Sequence, residues 1–317
     1  MPPIEAMESS VDLAPQADPE EQTNQLNKRL LYVVGHLRRG SEILKVLMSD
    51  DKPLTVLYGG FLRDLVQVLH DGRFNMRSEA PETNKPALYW AQILQLRSEN
   101  HYQLDGHDCC GLFSDMDLHS DVKIDVTMES LQRFRSWGPT FNRDQHTDAI
   151  KSVALGLREE IAHEDGHTEP VYFDVQMCNN MRGLDFTCNM LVTDGRRVFS
   201  KTEYNGGLSV DVPLGLIYES CVRRVLMPIM SPHNGTFNWS IVYVPSDSKT
   251  KEALPKKLRP SATKLLLKGY TTDIEWASNL DGLLGGSTFQ FMSATHLFKS
   301  ALRTMRCAPR GPLIATR

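Results

Sequence analysis

Leu54-Thr-Val-Leu-Tyr-Gly-Gly-Phe-Leu-Arg-Asp-Leu-Val-Gln-Val-Leu69 is the stretch whose reading decides the fold. A short apolar run, Leu54 to Tyr58, reads as a buried strand and stops at Gly59-Gly60. A helical pattern starts at once, with Phe61, Leu62, Leu65, Val66 and Leu69 on one face. Strand, two glycines and helix let backbone N–H groups approach an anion. Glycine has no Cβ in the way, and the helix N-terminus carries a partial positive charge. Such a turn is commonplace by itself, so its meaning depends on the residues downstream.

Downstream lies Ser114-Asp-Met-Asp-Leu118. On a strand, Asp115 and Asp117 project side by side while Met116 and Leu118 face the core. Two carboxylates so placed repel unless a divalent cation lies between them, and Mg²⁺ or Mn²⁺ takes carboxylate oxygens together with substrate phosphates. Two further runs offer a third carboxylate. In Pro170 to Met177, the residues Val171, Phe173, Val175 and Met177 point one way and Tyr172, Asp174 and Gln176 the other. In Val122 to Val126, Asp125 lies on the polar face, and a turn at His119 to Asp121 would fold that strand back beside Asp115. Asp174 is the preferred third ligand and Asp125 the alternative.

Working outward, residues 1–23 are rich in Pro, Glu, Asp and Ser and read as a disordered acidic leader. From Asn24 the spacing of Leu26, Leu30, Val33 and Leu37 predicts a helix, and Ser41 reads as the N-cap of a second one. Asp51-Lys-Pro53 is a turn, and Pro86 to Leu96 is another helix. His101, His107, Cys109 and Cys110 fall in a loop; adjacent cysteines make poor paired zinc ligands, so the loop reads as mixed polarity. Helices are expected over Met128 to Phe134, over Asp148 to His163 (Ile150, Val153, Ala154, Leu157, Ile161) and over residues 212–227. Thr236 to Val244 reads as a strand, Pro245 to Pro260 as a linker, and the remainder as mostly helical with a basic end.

The composition agrees with a globular α/β protein: 317 residues, 41% hydrophobic, with a formal net charge of −4. That charge supplies no global attraction to nucleic acid, so a polyanion partner needs a local basic patch. No apolar run approaches the roughly 20 residues that cross a bilayer, so no membrane partner is expected. Six cysteines in so long a chain, without a signal peptide, read as reduced, and the expected location is intracellular.

Three of these pieces resemble the nucleotidyltransferase superfamily of DNA polymerase β. The likeness is narrower to the class II head domain of tRNA CCA-adding enzymes and bacterial-type poly(A) polymerases. Tyr58-Gly-Gly-Phe-Leu-Arg-Asp-Leu65 is similar to the family's Gly-Gly-x-Val-Arg-Asp-Leu. Ser114-Asp-Met-Asp-Leu118 resembles its Asp-Ile-Asp metal motif, and Leu184-Asp-Phe-Thr-Cys-Asn-Met-Leu191 its Arg-Arg-Asp-Phe-Thr-Ile-Asn-Ala-Leu. Asn205-Gly-Gly-Leu-Ser-Val-Asp211 is a softer match further on.

The resemblance implies a polymerase β-like head, a mixed sheet flanked by helices, over residues 24–230, with a smaller C-terminal region over 231–317. It implies an RNA-binding transferase that adds nucleotides from an NTP to an RNA 3′ end, such as that of tRNA. Asp115 and Asp117 would bind Mg²⁺ or Mn²⁺ and act in catalysis with Asp174. Gly59 and Gly60 would hold phosphates, and Arg63 and Asp64 would brace the nucleotide or the loop. Asp185 and Asn189 would seat the sugar and base. Leu184 stands where the family carries arginine, so Arg182 would have to substitute from another angle. Glu219-Ser-Cys-Val-Arg223, nearest to the family's base-selecting Glu-Asp-x-x-Arg, lacks the adjacent Asp. These departures imply two alternatives: a catalytically eroded member that binds RNA or a protein, or transfer to a non-RNA acceptor.

Overall fold

The computed structural model describes residues 18–49, 55–76, 79–104, 107–120, 129–143, 150–162, 166–178, 181, 186–204, 212–227, 229–230, 240–243, 265, 268–270 and 292–293. Helix α1 (Pro19–Gly40) begins earlier than the expected Asn24, because Asp18 caps it. Asp18 Oδ1 accepts from the Glu20 N–H at 3.0 Å, and Glu20 and Glu21 complement the helix dipole. Leu30, Val33, Val34 and Leu37 form its buried stripe. Ser41 caps α2 (Glu42–Leu47) as expected, accepting from the Leu44 N–H at 3.1 Å. Six residues are too few to hold a helix unaided. A distant carboxylate completes the cap: Glu159 accepts from the Glu42 N–H at 2.7 Å and from the Ser41 hydroxyl at 2.5 Å.

The remaining elements are built around one seven-stranded mixed sheet. In chain order come β1 (Thr55–Tyr58), α3 (Gly60–His70), α4 (Lys85–Glu99), the hairpin β2 (His101–Leu104) and β3 (His107–Cys110), and β4 (Met116–Ser120). After these come β5 (Arg135–Arg143), β6 (Ile150–Ala162), β7 (Thr168–Cys178), β8 (Leu191–Thr193), β9 (Val198–Ser200), α5 (Lys201–Tyr204) and α6 (Leu214–Val222). The sheet order is β5-β6-β7-β4-β1-β8-β9. Only β4 and β7 run parallel; the other neighbours are antiparallel. A small separate sheet joins β10 (Ile229–Met230), β11 (Ser240–Tyr243) and β12 (Met292–Ser293).

One sheet face packs on the helices: Leu57, Met116, Leu118, Leu155, Leu157, Phe173 and Val175 join the main core with α1, α3 and α4. Leu265 and Tyr270, from far along the chain, belong to the same core. On the other face, Val56, Tyr58, Met181, Val192 and Phe199 make a small second cluster over the β1–β8–β9 end. At the β5–β6–β7 end that face is open to solvent at Trp137, Arg158 and Tyr172.

Several expectations are corrected. The predicted helix over 148–163 is strand β6, thirteen residues long. Its apolar residues fit a 3.6 period, yet Val153, Leu155, Leu157 and Ile161 are buried on alternate positions and the strand pairs along its length with β7. The loop at 101–110 is a hairpin. Strand β4 runs on through His119 and Ser120, so no turn begins at His119. The helix over 128–134 is represented by a 3₁₀ turn at Gln132–Phe134, and that over 212–227 is shortened to α6. The turn at 51–53, the strand at 122–126 with Asp125, the linker at 245–260 and the basic end lie outside the described residues. Among the described residues, no helix is long and apolar enough to cross a membrane.

Candidate metal centre

Parallel pairing of β4 with β7 puts Asp117 directly opposite Asp174. Directly opposed residues share a face, and Asp115, one residue before β4, reaches the same place. A carboxylate oxygen from each of the three lies within 4.8 Å of the others. Asp115 is exposed and the other two are half-buried, while Met116 and Leu118 between them are buried. The alternation visible in both segments is thus what builds the cluster. The Ser114 hydroxyl donates to Asp115 Oδ1 at 2.6 Å. Burial, and then the Asp115 charge, hold the Asp174 carboxyl above the ordinary carboxylate range.

Asp174 is the third carboxylate of the cluster among the described residues, and Asp125 lies outside them. Among the described residues no other group of three His, Cys, Asp or Glu side chains converges this way. The donors are all carboxylate oxygens, the ligand type that hard divalent cations take. Three like charges this close also fit a divalent cation better than they fit one another.

The Gly59-Gly60 turn lies against this cluster. Gly59 sits at φ 76°, ψ −133°, a conformation open to glycine, and a Cβ there would lie 3.3 Å from Asp117 Oδ2. Its N–H donates to the Leu191 carbonyl at 3.1 Å, which ties the turn to β8. No side chain caps α3, so its first turn offers backbone N–H groups of the kind that receive anions. Tyr58, opposite Asp117 across β1, is buried, and burial and then the Asp117 charge push its phenol well up. The buried Lys201 ammonium lies 4.6 Å from the Tyr58 ring centre.

Behind the turn is a second group of charges. Asp64 Oδ1 accepts from Arg63 Nε and Nη2 at 2.8 and 2.6 Å. Asp64 Oδ2 accepts from Lys268 Nζ at 2.8 Å and from the Phe113 N–H at 3.0 Å. Arg63 Nη1 also donates to Asn189 Oδ1 at 2.7 Å. Burial works against the Asp64 carboxylate, but Arg63 and then Lys268 outweigh it and hold the carboxyl below its usual range. Tyr270 accepts from Gln67 Nε2 at 2.6 Å and lies under the Arg63 guanidinium.

Arg63 and Asp64 are 5% and 1% exposed, and their partners are internal. Buried side chains with internal partners of this kind are what a loop brace requires. Asn189 is tied into the same frame through Arg63. The Phe113 N–H bond reaches the segment leading into Asp115, so one buried carboxylate fixes both the glycine turn and the approach to the acidic cluster. Lys268 and Tyr270 were not foreseen: no local pattern links residues 204 positions apart. A charged Arg-Asp pair inside an otherwise apolar helix was the one available sign that a further partner existed. Arg182, Asp185 and the side chains of His101, His107, Cys109 and Cys110 lie outside the described residues.

No protein-family model matches the chain, nor does any curated protein or solved structure.

Proposed function

We propose that the protein is a metal-dependent nucleotidyltransferase that adds nucleotides from an NTP to an RNA 3′ end. The observation that carries this reading is the convergence of Asp115, Asp117 and Asp174 against the Gly59 turn at the start of α3. Three carboxylates beside a glycine turn and a helix N-terminus join a place for hard cations to a place for phosphate.

The chain's residues divide the work among three groups. Asp115, Asp117 and Asp174 would hold the divalent cation. The Gly60 N–H and the first turn of α3 receive the triphosphate tail, while Gly59, whose own N–H is held by the Leu191 carbonyl, supplies the positive-φ turn that opens the approach. Arg63, Asp64 and Lys268 keep that turn rigid from behind. When bound, the cation lowers the pKa of the acceptor hydroxyl and offsets charge at the α-phosphate. The bond from the acceptor oxygen to the α-phosphorus forms, the bond to the β-phosphate oxygen breaks, and pyrophosphate leaves. The hydroxyl proton leaves to solvent at the exposed Asp115 side of the cluster.

The test is incubation with Mg²⁺, each labelled NTP and tRNA with or without its CCA end, or a short oligo(A), alongside Asp115→Ala/Asp117→Ala. Incorporation confined to the unaltered protein is expected. Equal incorporation by both proteins, or none with any acceptor, overturns the reading. Leu184, standing where the resembled motif has arginine, favours a second reading, a fold of this kind that binds RNA or a protein without turnover.

A further inference from the structure

The acidic cluster belongs to a longer row of residues. Register runs from Trp137 to Gly156, from Gly156 to Asp174, and from Asp174 to Asp117. All four positions therefore share the outer face of the sheet. At position 156 there is no side chain, and the Trp137 ring occupies that space: a Cβ on Gly156 would fall 1.7 Å from Trp137 Nε1. The indole thus lies back over the sheet toward Asp174. Strands are about 4.8 Å apart, so the ring reaches across one of the two strand spacings between its own backbone and Asp174 and lies over the position beside that aspartate. Its other side is open, and the residue is 42% exposed.

A second exposed ring flanks the cluster along the strand. Tyr172 is 44% exposed, two residues before Asp174 and on the same face. Arg158, opposite Tyr172 on β6, is half-exposed and pairs with Glu160. Thr140 and Gln176, opposite Ala154 from either side, add neutral hydrogen-bonding groups to the face. Single exposed aromatics need no explanation. Two exposed rings on one face beside the acidic cluster, one of them lying over a glycine, with Arg158 on the strand between them, supply the π-faces on which unpaired bases stack.

We propose that Trp137, with Tyr172 beside it, is the stacking platform for the terminal bases of a single-stranded RNA acceptor, holding its 3′ end over the acidic cluster. This rests on the nucleotidyl-transfer reading for the direction of the strand, but not for its binding. Arg158 meets a backbone phosphate, and the rings accept any base because every base has a π-face.

Fluorescence anisotropy of a labelled oligo(A) with a 3′-deoxy end tests this on the full chain without turnover. The same-length abasic ribose-phosphate oligomer and free ATP serve as comparison probes. Trp137→Ala is expected to weaken oligo(A) about five- to 150-fold, the range for loss of one stacked base. Trp137→Phe should stay within about threefold, and Tyr172→Ala should show a loss of the same kind. Abasic oligomer and ATP should bind Trp137→Ala and the unaltered protein alike. Unchanged oligo(A) affinity in both Trp137→Ala and Tyr172→Ala overturns the platform, as does equal weakening of the abasic oligomer. Equal weakening of ATP assigns the ring to the nucleotide and overturns the acceptor role. If no NTP is incorporated yet oligo(A) binding depends on Trp137, the platform stands and the transferase reading falls. If incorporation needs Asp115 and Asp117 while both ring variants leave oligo(A) binding unchanged, the transferase stands and the platform falls.

Discussion

Two clusters of charge sit on either side of the Gly59 turn, and they solve opposite problems. Asp64 is 1% exposed and receives two cationic side chains and a backbone N–H, so its charge is matched inside the protein. Asp115, Asp117 and Asp174 bring three charges of one sign together at the surface. The first cluster is finished by the chain itself, at a separation of 204 residues. The second is arranged so that a cation from solution improves it. A buried, internally matched carboxylate needs nothing from outside the chain, whereas a half-exposed, like-charged set is one that a bound cation would stabilise.

That contrast is broken most severely at Asp64. Asp64→Asn leaves Arg63 and Lys268 buried with a neutral partner, and a loss of about 3–5 kcal/mol is expected in urea unfolding. A loss below about 1 kcal/mol would mean the group is solvated and the contrast false. Next in size is the cation effect: Mn²⁺ or Mg²⁺ at a hundredfold over its dissociation constant should add about 2.7 kcal/mol to the stability of the unaltered protein. The same addition should leave Asp115→Ala/Asp117→Ala unmoved in thermal unfolding.

Gly59 stands between the clusters. Gly59→Ala forces a side chain into a positive-φ position and toward Asp117, with about 1–3 kcal/mol of destabilisation expected. Gly60→Ala, whose Cβ would meet the Arg63 guanidinium at 3.5 Å, an ordinary van der Waals contact, should fold normally. A smaller effect of opposite sign is expected from Asp117→Asn without divalent ions. Removing one of two directly opposed like charges should stabilise the protein by about 0.2–1 kcal/mol.

The subtlest distinction is in pH. Asp64, held below its usual range, contributes stability that is present above the unfolded pKa and lost as pH falls through the folded one. Asp174, held above its ordinary value of 3.8, behaves in the reverse sense. Its folded form binds the proton more tightly, so stability falls as pH rises from that value through the folded pKa. Urea titrations of metal-free protein from pH ~4 upward should show this downward component, and Asp174→Asn should lack it. Identical slopes in both proteins would remove Asp174 from the account.

The acidic cluster was legible because strand alternation is a local rule. Asp115-x-Asp117 and Tyr172-Asp174-Gln176 each announce which side chains share a face, and the sheet needed only to place β4 beside β7. Strand β6 was not legible, since Ile150, Val153, Ala154, Leu157 and Ile161 satisfy a helical period, and long-range pairing with β7 decides the matter. Helix α1 was placed late because Asp18 lies in an acidic segment that reads as leader, although it is the cap. Glu159 closing α2, and Lys268 closing on Asp64, are contacts across 117 and 204 positions, for which no sequence period exists. The fold's local grammar was therefore readable, and its long-range closures were not.

The lysine that completes the buried charge group is made long after the aspartate it serves. At about 5–20 residues per second, the 204 positions from Asp64 to Lys268 take on the order of ten to forty seconds to synthesise. By the end of that interval the nascent chain carries the glycine turn, the acidic cluster and all seven strands of the main sheet, but Asp64 still has only Arg63 as a cationic partner. The last step in maturing the turn must then wait until residue 268 has left the ribosome. A chain stalled before that residue would hold every member of the metal cluster and still lack the brace behind it.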